Sequence, residues 1–227
     1  MNIGGFQPVS LIDYPDKICS IIFTAGCNFR CPFCYNESLV LEEQFRKSLD
    51  WVYIKKTLLR RKGLIDAVTI TGGEPTIYDD LIDCVKELST LGFLVKLDTQ
   101  GSLPERVEKV YKLVDYIAMD IKSSLDKYYL FGKVNRNDIL RSIELVSSVP
   151  HEFRTTCVPE IVDENDIRKI AEILPKDSPY YLQNFVADAG TLDKRFRSIK
   201  PYSKKEMKKF QGIAREYLNK VYIRNDE

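Results

Sequence analysis

Ile18-Cys-Ser-Ile-Ile-Phe-Thr24 runs directly into Ala-Gly-Cys27-Asn-Phe-Arg-Cys31-Pro-Phe-Cys34. An apolar stretch of this length, ended by a turn signal, reads as a buried strand, and the loop behind it carries three thiols within eight residues. The same grammar recurs along the chain. Strands are expected at 67–71, 93–98, 116–121, 153–157 and 181–185. Helices are expected at about 49–61, 78–90, 104–111, 138–147 and 164–174, with Leu81, Ile82, Val85 and Leu88 on one face of the second. Ser203-Lys-Lys-Glu206 has capping-box spacing and opens a last helix to about 217. Six βα units in tandem imply parallel strands, because each crossover helix returns the chain to the same edge. In barrels of such units, function sits where strands meet the following loops. The cysteines follow the first strand, Gly72-Gly73-Glu74-Pro75 the second and Asp98-Thr-Gln-Gly101 the third. Asp120 and Lys122 end the fourth, Arg154 to Cys157 lie on the fifth, and Gln183 and Asn184 close the sixth.

A chain of 227 residues suits one domain with a substantial core better than two. A single domain over 1–227 is expected, with its core at about 15–190 and a C-terminal helix at about 203–217. Basic residues number 34 against 33 acidic, so no global charge draws the chain to nucleic acid or anionic lipid. No apolar run reaches the roughly 18 residues of a membrane span. The N-terminus lacks the basic start and apolar core of a signal peptide. A cytoplasmic protein without nucleic-acid or membrane partners is expected.

Six cysteines need an explanation. Cys19, Cys84 and Cys157 stand singly in apolar surroundings and read as buried, inert thiols. Cys27, Cys31 and Cys34 can wrap one metal centre, and soft sulfur selects zinc or iron–sulfur. Structural zinc wants four ligands; here there is no second C-x-x-C, and the single histidine, His151, reads as a loop residue elsewhere. A four-iron, four-sulfur (4Fe-4S) cluster on three cysteines leaves one iron open. A zinc-holding binding module stays as a rival. Gly72 and Gly73 would let backbone approach a ligand closely, and the Glu74 carboxylate could accept hydrogen bonds from an ammonium group; a plain turn is the alternative. Asp120 and Lys122, two apart, share a strand face, as would a surface ion pair. Arg154 reads equally as a group at the mouth or half of an ion pair. Lys204, Lys205, Lys208 and Lys209 read as the solvated face of the last helix.

C-x3-C-x-aromatic-C, matched by Cys27, Cys31, Phe33 and Cys34, resembles the signature of the radical S-adenosylmethionine (SAM) family. The resemblance implies an α/β fold, a partial (β/α)6 TIM-like barrel, with a 4Fe-4S cluster and SAM as cofactors. It implies that Phe33 packs near the adenine and that Gly72, Gly73 and Glu74 hold the SAM amino group. In the related glycyl-radical-enzyme activases a D-T-N-G and a D-x-K segment resemble residues 98–101 and 120–122. There the lysine, here Lys122, contacts SAM, and the aspartates, here Asp98 and Asp120, help bind a monovalent cation beside its carboxylate. Gln100 stands where those activases often carry Asn.

Ser10-Leu-Ile-Asp-Tyr-Pro15, Phe23-Thr-Ala-Gly-Cys-Asn28, Phe153-Arg-Thr-Thr156 and Leu182-Gln-Asn-Phe185 resemble the anaerobic ribonucleoside-triphosphate reductase activating proteins. That likeness covers nearly the whole chain. It implies an enzyme that abstracts hydrogen from a glycine of a partner glycyl-radical enzyme, with a flavodoxin- or ferredoxin-type electron donor. Asp16 and Glu160 depart from a usual Gly, and Tyr35 from a frequent His. A small-molecule enzyme similar to the 7-carboxy-7-deazaguanine synthases and an activase of another glycyl-radical enzyme remain as alternatives.

Overall fold

The computed structural model describes residues 1–41, 45, 48–187 and 190–224. The fold is α/β with parallel strands, and it divides into two compact units. The first comprises Met1–Asn28, Asn36–Thr99 and Glu105–Ile117. In it β1 (Ile3–Ser10) runs antiparallel to β2 (Cys19–Thr24), which pairs in parallel with β3 (Ala67–Gly72), itself parallel to β4 (Leu94–Thr99). Of the six residues of β2, five are buried, which is why it reads as a continuous apolar run. Its two hydroxyl residues are satisfied inside the sheet. Ser20 Oγ donates to Pro8 O at 2.7 Å and Thr24 Oγ1 to Thr71 O at 3.1 Å.

The helices of this unit are α1 (Glu37–Val40), α2 (Trp51–Arg60), α3 (Leu81–Thr90) and, from Glu105 on, α4 (Pro104–Val110). Asp50 caps α2 by accepting from Val52 N at 2.9 Å, one of the donors a helix start leaves without a partner. On α3 the buried residues are Leu81, Cys84, Val85 and Leu88. Cys84, not Ile82, completes the expected stripe. Each such apolar side chain contributes about 1.5–3 kcal/mol when fully buried. The helix also begins three residues later than the periodicity suggests, because Pro75–Ile77 form a 3-10 turn.

The chain passes along β5 (Tyr116–Asp120). At its start, in the first unit, Asp115 N donates to Val95 O at 2.8 Å. At its end, in the second, Ile121 N donates to Arg154 O at 2.8 Å. The second unit comprises Phe29–Tyr35, Gln100–Pro104 and the chain from Ala118 on. It holds α5 (Arg136–Ser147), β6 (His151–Cys157), α6 (Glu164–Ile173), β7 (Tyr180–Asn184), α7 (Lys204–Arg215) and β8 (Val221–Arg224), with β6, β7 and β8 parallel. The Ser203–Glu206 capping box is present, Met207, Phe210, Ile213 and Ala214 of α7 are buried, and the four expected lysines are exposed.

Two strands escape the sequence pattern. β1 contains Gly4, Gly5 and Pro8, which carry no strand signal, and Pro is tolerated there because the strand lies at an edge. β8 is only four residues long. His151 is not a loop residue but opens β6, with Nδ1 2.7 Å from Val149 O and Nε2 2.9 Å from Ser178 Oγ. Among the described residues no helix is long and apolar enough to cross a membrane.

Candidate functional site

In the first unit the chain leaves β2 through Thr24, Ala25 and Gly26 to reach Cys27. That short path is held on every side. Ala25 N donates to Asn2 O at 2.9 Å, Gly26 N to Leu39 O at 2.6 Å, Gly73 N to Thr24 O at 2.8 Å and Glu74 N to Gly26 O at 2.8 Å, while the Tyr78 hydroxyl donates to Ala25 O. The glycines that follow β3 make this contact possible. A Cβ on Gly73 would lie 1.9 Å from Gly26 O, and one on Gly72, whose φ is +116°, would lie 2.4 Å from Thr24 N. Gly72 and Gly73 thus also allow a close approach to the chain's own backbone at the root of the cysteine loop.

Glu74 is fully buried. Its Oε1 accepts from Thr76 N at 3.1 Å, Thr76 Oγ1 at 2.6 Å and Thr99 Oγ1 at 2.7 Å. A buried carboxylate needs such donors; here they tie the turn after β3 to the end of β4. On β4 itself, Lys96 Nζ lies 2.8 Å from Asp98 Oδ1, with both side chains largely buried. Sequence reasoning singled out Asp98 but not Lys96, although residues two apart on a strand share a face.

In the second unit Cys31 and Cys34 lie on one turn, with Cys34 N donating to Cys31 O at 3.0 Å. The turn is anchored twice, by Leu192 N to Cys34 O at 3.1 Å and Asp193 N to Pro32 O at 2.8 Å. Phe29 and Phe33 are buried, and both rings pack on Phe131, at 6.3 and 6.1 Å between centroids. Tyr35 stacks on Phe185 at 5.7 Å and its hydroxyl oxygen accepts from Val186 N at 2.8 Å.

Asp120 and Lys122 are a direct pair at 2.9 Å, and Arg154 Nε donates to the other Asp120 oxygen at 2.7 Å. Of the two readings of Arg154, the ion pair is the one observed. Burial opposes charge on Asp120, but the Arg154 guanidinium and the Lys122 ammonium outweigh it and hold the carboxyl far below its ordinary range. Burial likewise opposes charge on Lys122; Asp120 and the Cys31 sulfur outweigh it, with a smaller contribution from Cys34, and the ammonium stays charged well above its ordinary range. Beyond Arg154, Glu152 is buried and paired to Arg224 at 3.0 Å, which no sequence pattern announces.

None of the six cysteines is in a disulfide. Burial pushes the Cys84 thiol up to about 12, and raises Cys157 and Cys19 also, as expected of inert thiols. Cys31 and Cys34 both act electrostatically on the Lys122 ammonium. Among the described residues no three His, Cys, Asp or Glu side chains converge on a point where one ion would sit. A 4Fe-4S cluster asks for something else, since its thiolates hold separate irons. The donor set suits that cluster.

The Radical SAM superfamily profile matches residues 21–174. The chain belongs to the radical SAM superfamily. A candidate glycyl-radical enzyme activating enzyme of Methanocaldococcus jannaschii is 35% identical over 98% of this radical SAM chain and 95% of its own length. The pyruvate formate-lyase-activating enzyme of Clostridium pasteurianum is 29% identical over 96% of the chain and 98% of its own. These end-to-end matches group the chain with the glycyl-radical enzyme activating enzymes. A solved domain of the pyruvate-formate lyase-activating enzyme of Bacteroides vulgatus shares the fold, with a TM-score of 0.56 and 24% identity over 70% of this chain and 99% of that domain. A 4Fe-4S cluster and SAM are the cofactors this family implies.

Proposed function

We propose that this enzyme installs a glycyl radical in a partner enzyme, most specifically an anaerobic ribonucleoside-triphosphate reductase. The observation that carries the reading is the anchored Cys31–Cys34 turn, in a chain matching activating enzymes along its whole length. Cys27, Cys31 and Cys34 hold the cluster, and Lys122 takes the carboxylate of SAM through a charge-assisted hydrogen bond. The Gly72–Gly73 backbone receives the SAM amino group, with Glu74 fixing the turn that presents it. Phe33 supplies an apolar wall for the adenine. When bound, the cluster would supply one-electron reductive cleavage of SAM to methionine and a 5′-deoxyadenosyl radical, the agent that would take hydrogen from the partner's glycine Cα. The profile match runs through residues of both compact units, which supports one radical SAM domain over 1–227. Six cysteines without a disulfide suit the reducing cytoplasm, where a reduced flavodoxin or ferredoxin would supply the electron.

The test mixes the reduced, iron-loaded protein with SAM and the candidate reductase and records electron paramagnetic resonance. A glycyl-radical doublet on the partner is expected. Its absence with every glycyl-radical enzyme tried, together with SAM cleavage stimulated by a small molecule, would replace this reading with the deazaguanine-synthase-like alternative.

A further inference from the structure

The likeness to glycyl-radical-enzyme activases assigns Asp98 and Asp120 to a monovalent cation beside the SAM carboxylate. Each of these aspartates already has a cation of the chain's own against it. In the first unit Lys96 Nζ is 2.8 Å from Asp98 Oδ1, and the lysine side chain is 4% exposed. In the second, Asp120 lies between Lys122 at 2.9 Å and Arg154 at 2.7 Å. We propose that this enzyme works without a monovalent cation, the tethered ammonium of Lys96 supplying that charge at Asp98.

Three physical points favour the ammonium. Lys96 and Asp98 are two residues apart on β4 and point to the same face, so their encounter is intramolecular and faces no dilution, whereas a dissolved ion must compete from solution. A second cation beside a buried ammonium meets a like charge where solvent screens little. Asp120 already has two cationic partners of the chain's own, one on each carboxylate oxygen, Lys122 at 2.9 Å and Arg154 at 2.7 Å. A dissolved cation would have to displace one of them. Lys96 is on this account a positioning residue, acting through Asp98.

The proposal rests on the SAM-binding reading above, so its test has one arm that needs no SAM. The full chain, reconstituted with iron and sulfide, is melted in potassium, sodium or tetramethylammonium chloride at fixed ionic strength, as wild type, Lys96→Met and Lys96→Arg. SAM affinity is measured in the same salts. Wild type and Lys96→Arg should show the same Tm and Kd in all three. Lys96→Met should gain a saturable rise in Tm with potassium, and its SAM affinity should become potassium-dependent by about five-fold or more, as linkage between two bound groups requires. A saturable potassium effect on wild-type Tm or Kd overturns the proposal, and this holds even if Lys96→Met does not fold. A folded Lys96→Met that ignores potassium overturns it equally. Loss of SAM binding in every variant and salt would instead sink the function reading, leaving the melting arm to decide the cation.

Discussion

Gly73→Ala is the sharpest probe of how the cysteine loop is rooted. The added methyl carbon would lie 1.9 Å from Gly26 O, so the two segments must part by about 1.1 Å merely to reach 3.0 Å. No flexible side chain can yield, because the obstacle is a carbonyl held by Glu74 N at 2.8 Å. Parting the segments stretches that bond and the one from Gly73 N to Thr24 O, also 2.8 Å. Two backbone hydrogen bonds at about 1 kcal/mol each and overpacking of about 1–3 kcal/mol give a loss of about 3–5 kcal/mol. Gly73 is not among the positive-φ glycines, so the cost is steric. Urea unfolding of the iron-free protein, followed by circular dichroism, measures it, with Gly212→Ala as control. No atom lies within 4 Å of a Cβ there, the residue is exposed within α7, and a gain of about 0.5–1 kcal/mol follows from helix propensity. A Gly73→Ala protein within 1 kcal/mol of wild type would refute the packing argument.

Three further outcomes are expected. Asp16 and Glu160, the two departures from a usual Gly, have φ of +56° and +73°. Glu160→Gly should therefore stabilise the fold by about 0.5–1 kcal/mol, the left-handed strain removed less the extra freedom of the unfolded chain, read as a Tm rise of about 1–4 °C. Replacing Cys27, Cys31 or Cys34 by Ala should abolish iron uptake and the cluster's visible absorption, while Cys84→Ala or Cys157→Ala should retain both despite lower stability; normal iron loading in Cys31→Ala would remove that residue from the ligand set. The imidazole of His151, the chain's one histidine, is held below its ordinary pKa of about 6.5 by burial, partly offset by its bond to Val149 O. The unfolded chain then binds more protons below about pH 6.5, so this contribution to stability is present above that pH and lost as pH falls towards the folded pKa. Proton NMR of this single ring reads the pKa directly, and a value above 6.5 would contradict the burial argument.

The central strands were legible because a buried strand must be mostly apolar, as β2 is, with its hydroxyl groups bonded inside the sheet. The last helix was legible from Ser203 and Glu206, whose reciprocal bonds leave a fixed spacing. β1 was not, since Gly4, Gly5 and Pro8 take strand form only by pairing with the edge of β2. Motif reading led to Glu74 but not to the inward aim of its side chain, which Thr76 and Thr99 decide and no spacing records. Lys96 hid for a related reason. A lysine between Val95 and Leu97 looks like an outward residue until the burial of its strand face is known. The same limit applies to Asp16 and Glu160, where comparison exposes the departure and only the backbone dihedral explains it.

The five bonds around Thr24, Ala25 and Gly26 also bear on how iron enters. Ordering a residue costs about 1–2 kcal/mol of backbone entropy, and all five of these bonds are made within the polypeptide, with no iron ligand among their donors or acceptors. Zinc fingers behave the other way, their metal being what folds them. Iron-stripped protein should accordingly keep its cooperative unfolding, and cluster assembly should draw its free energy from sulfur–iron bonds with little of it diverted to organising the first ligand's surroundings. Repeated loss and reloading of iron would leave this part of the chain as it was.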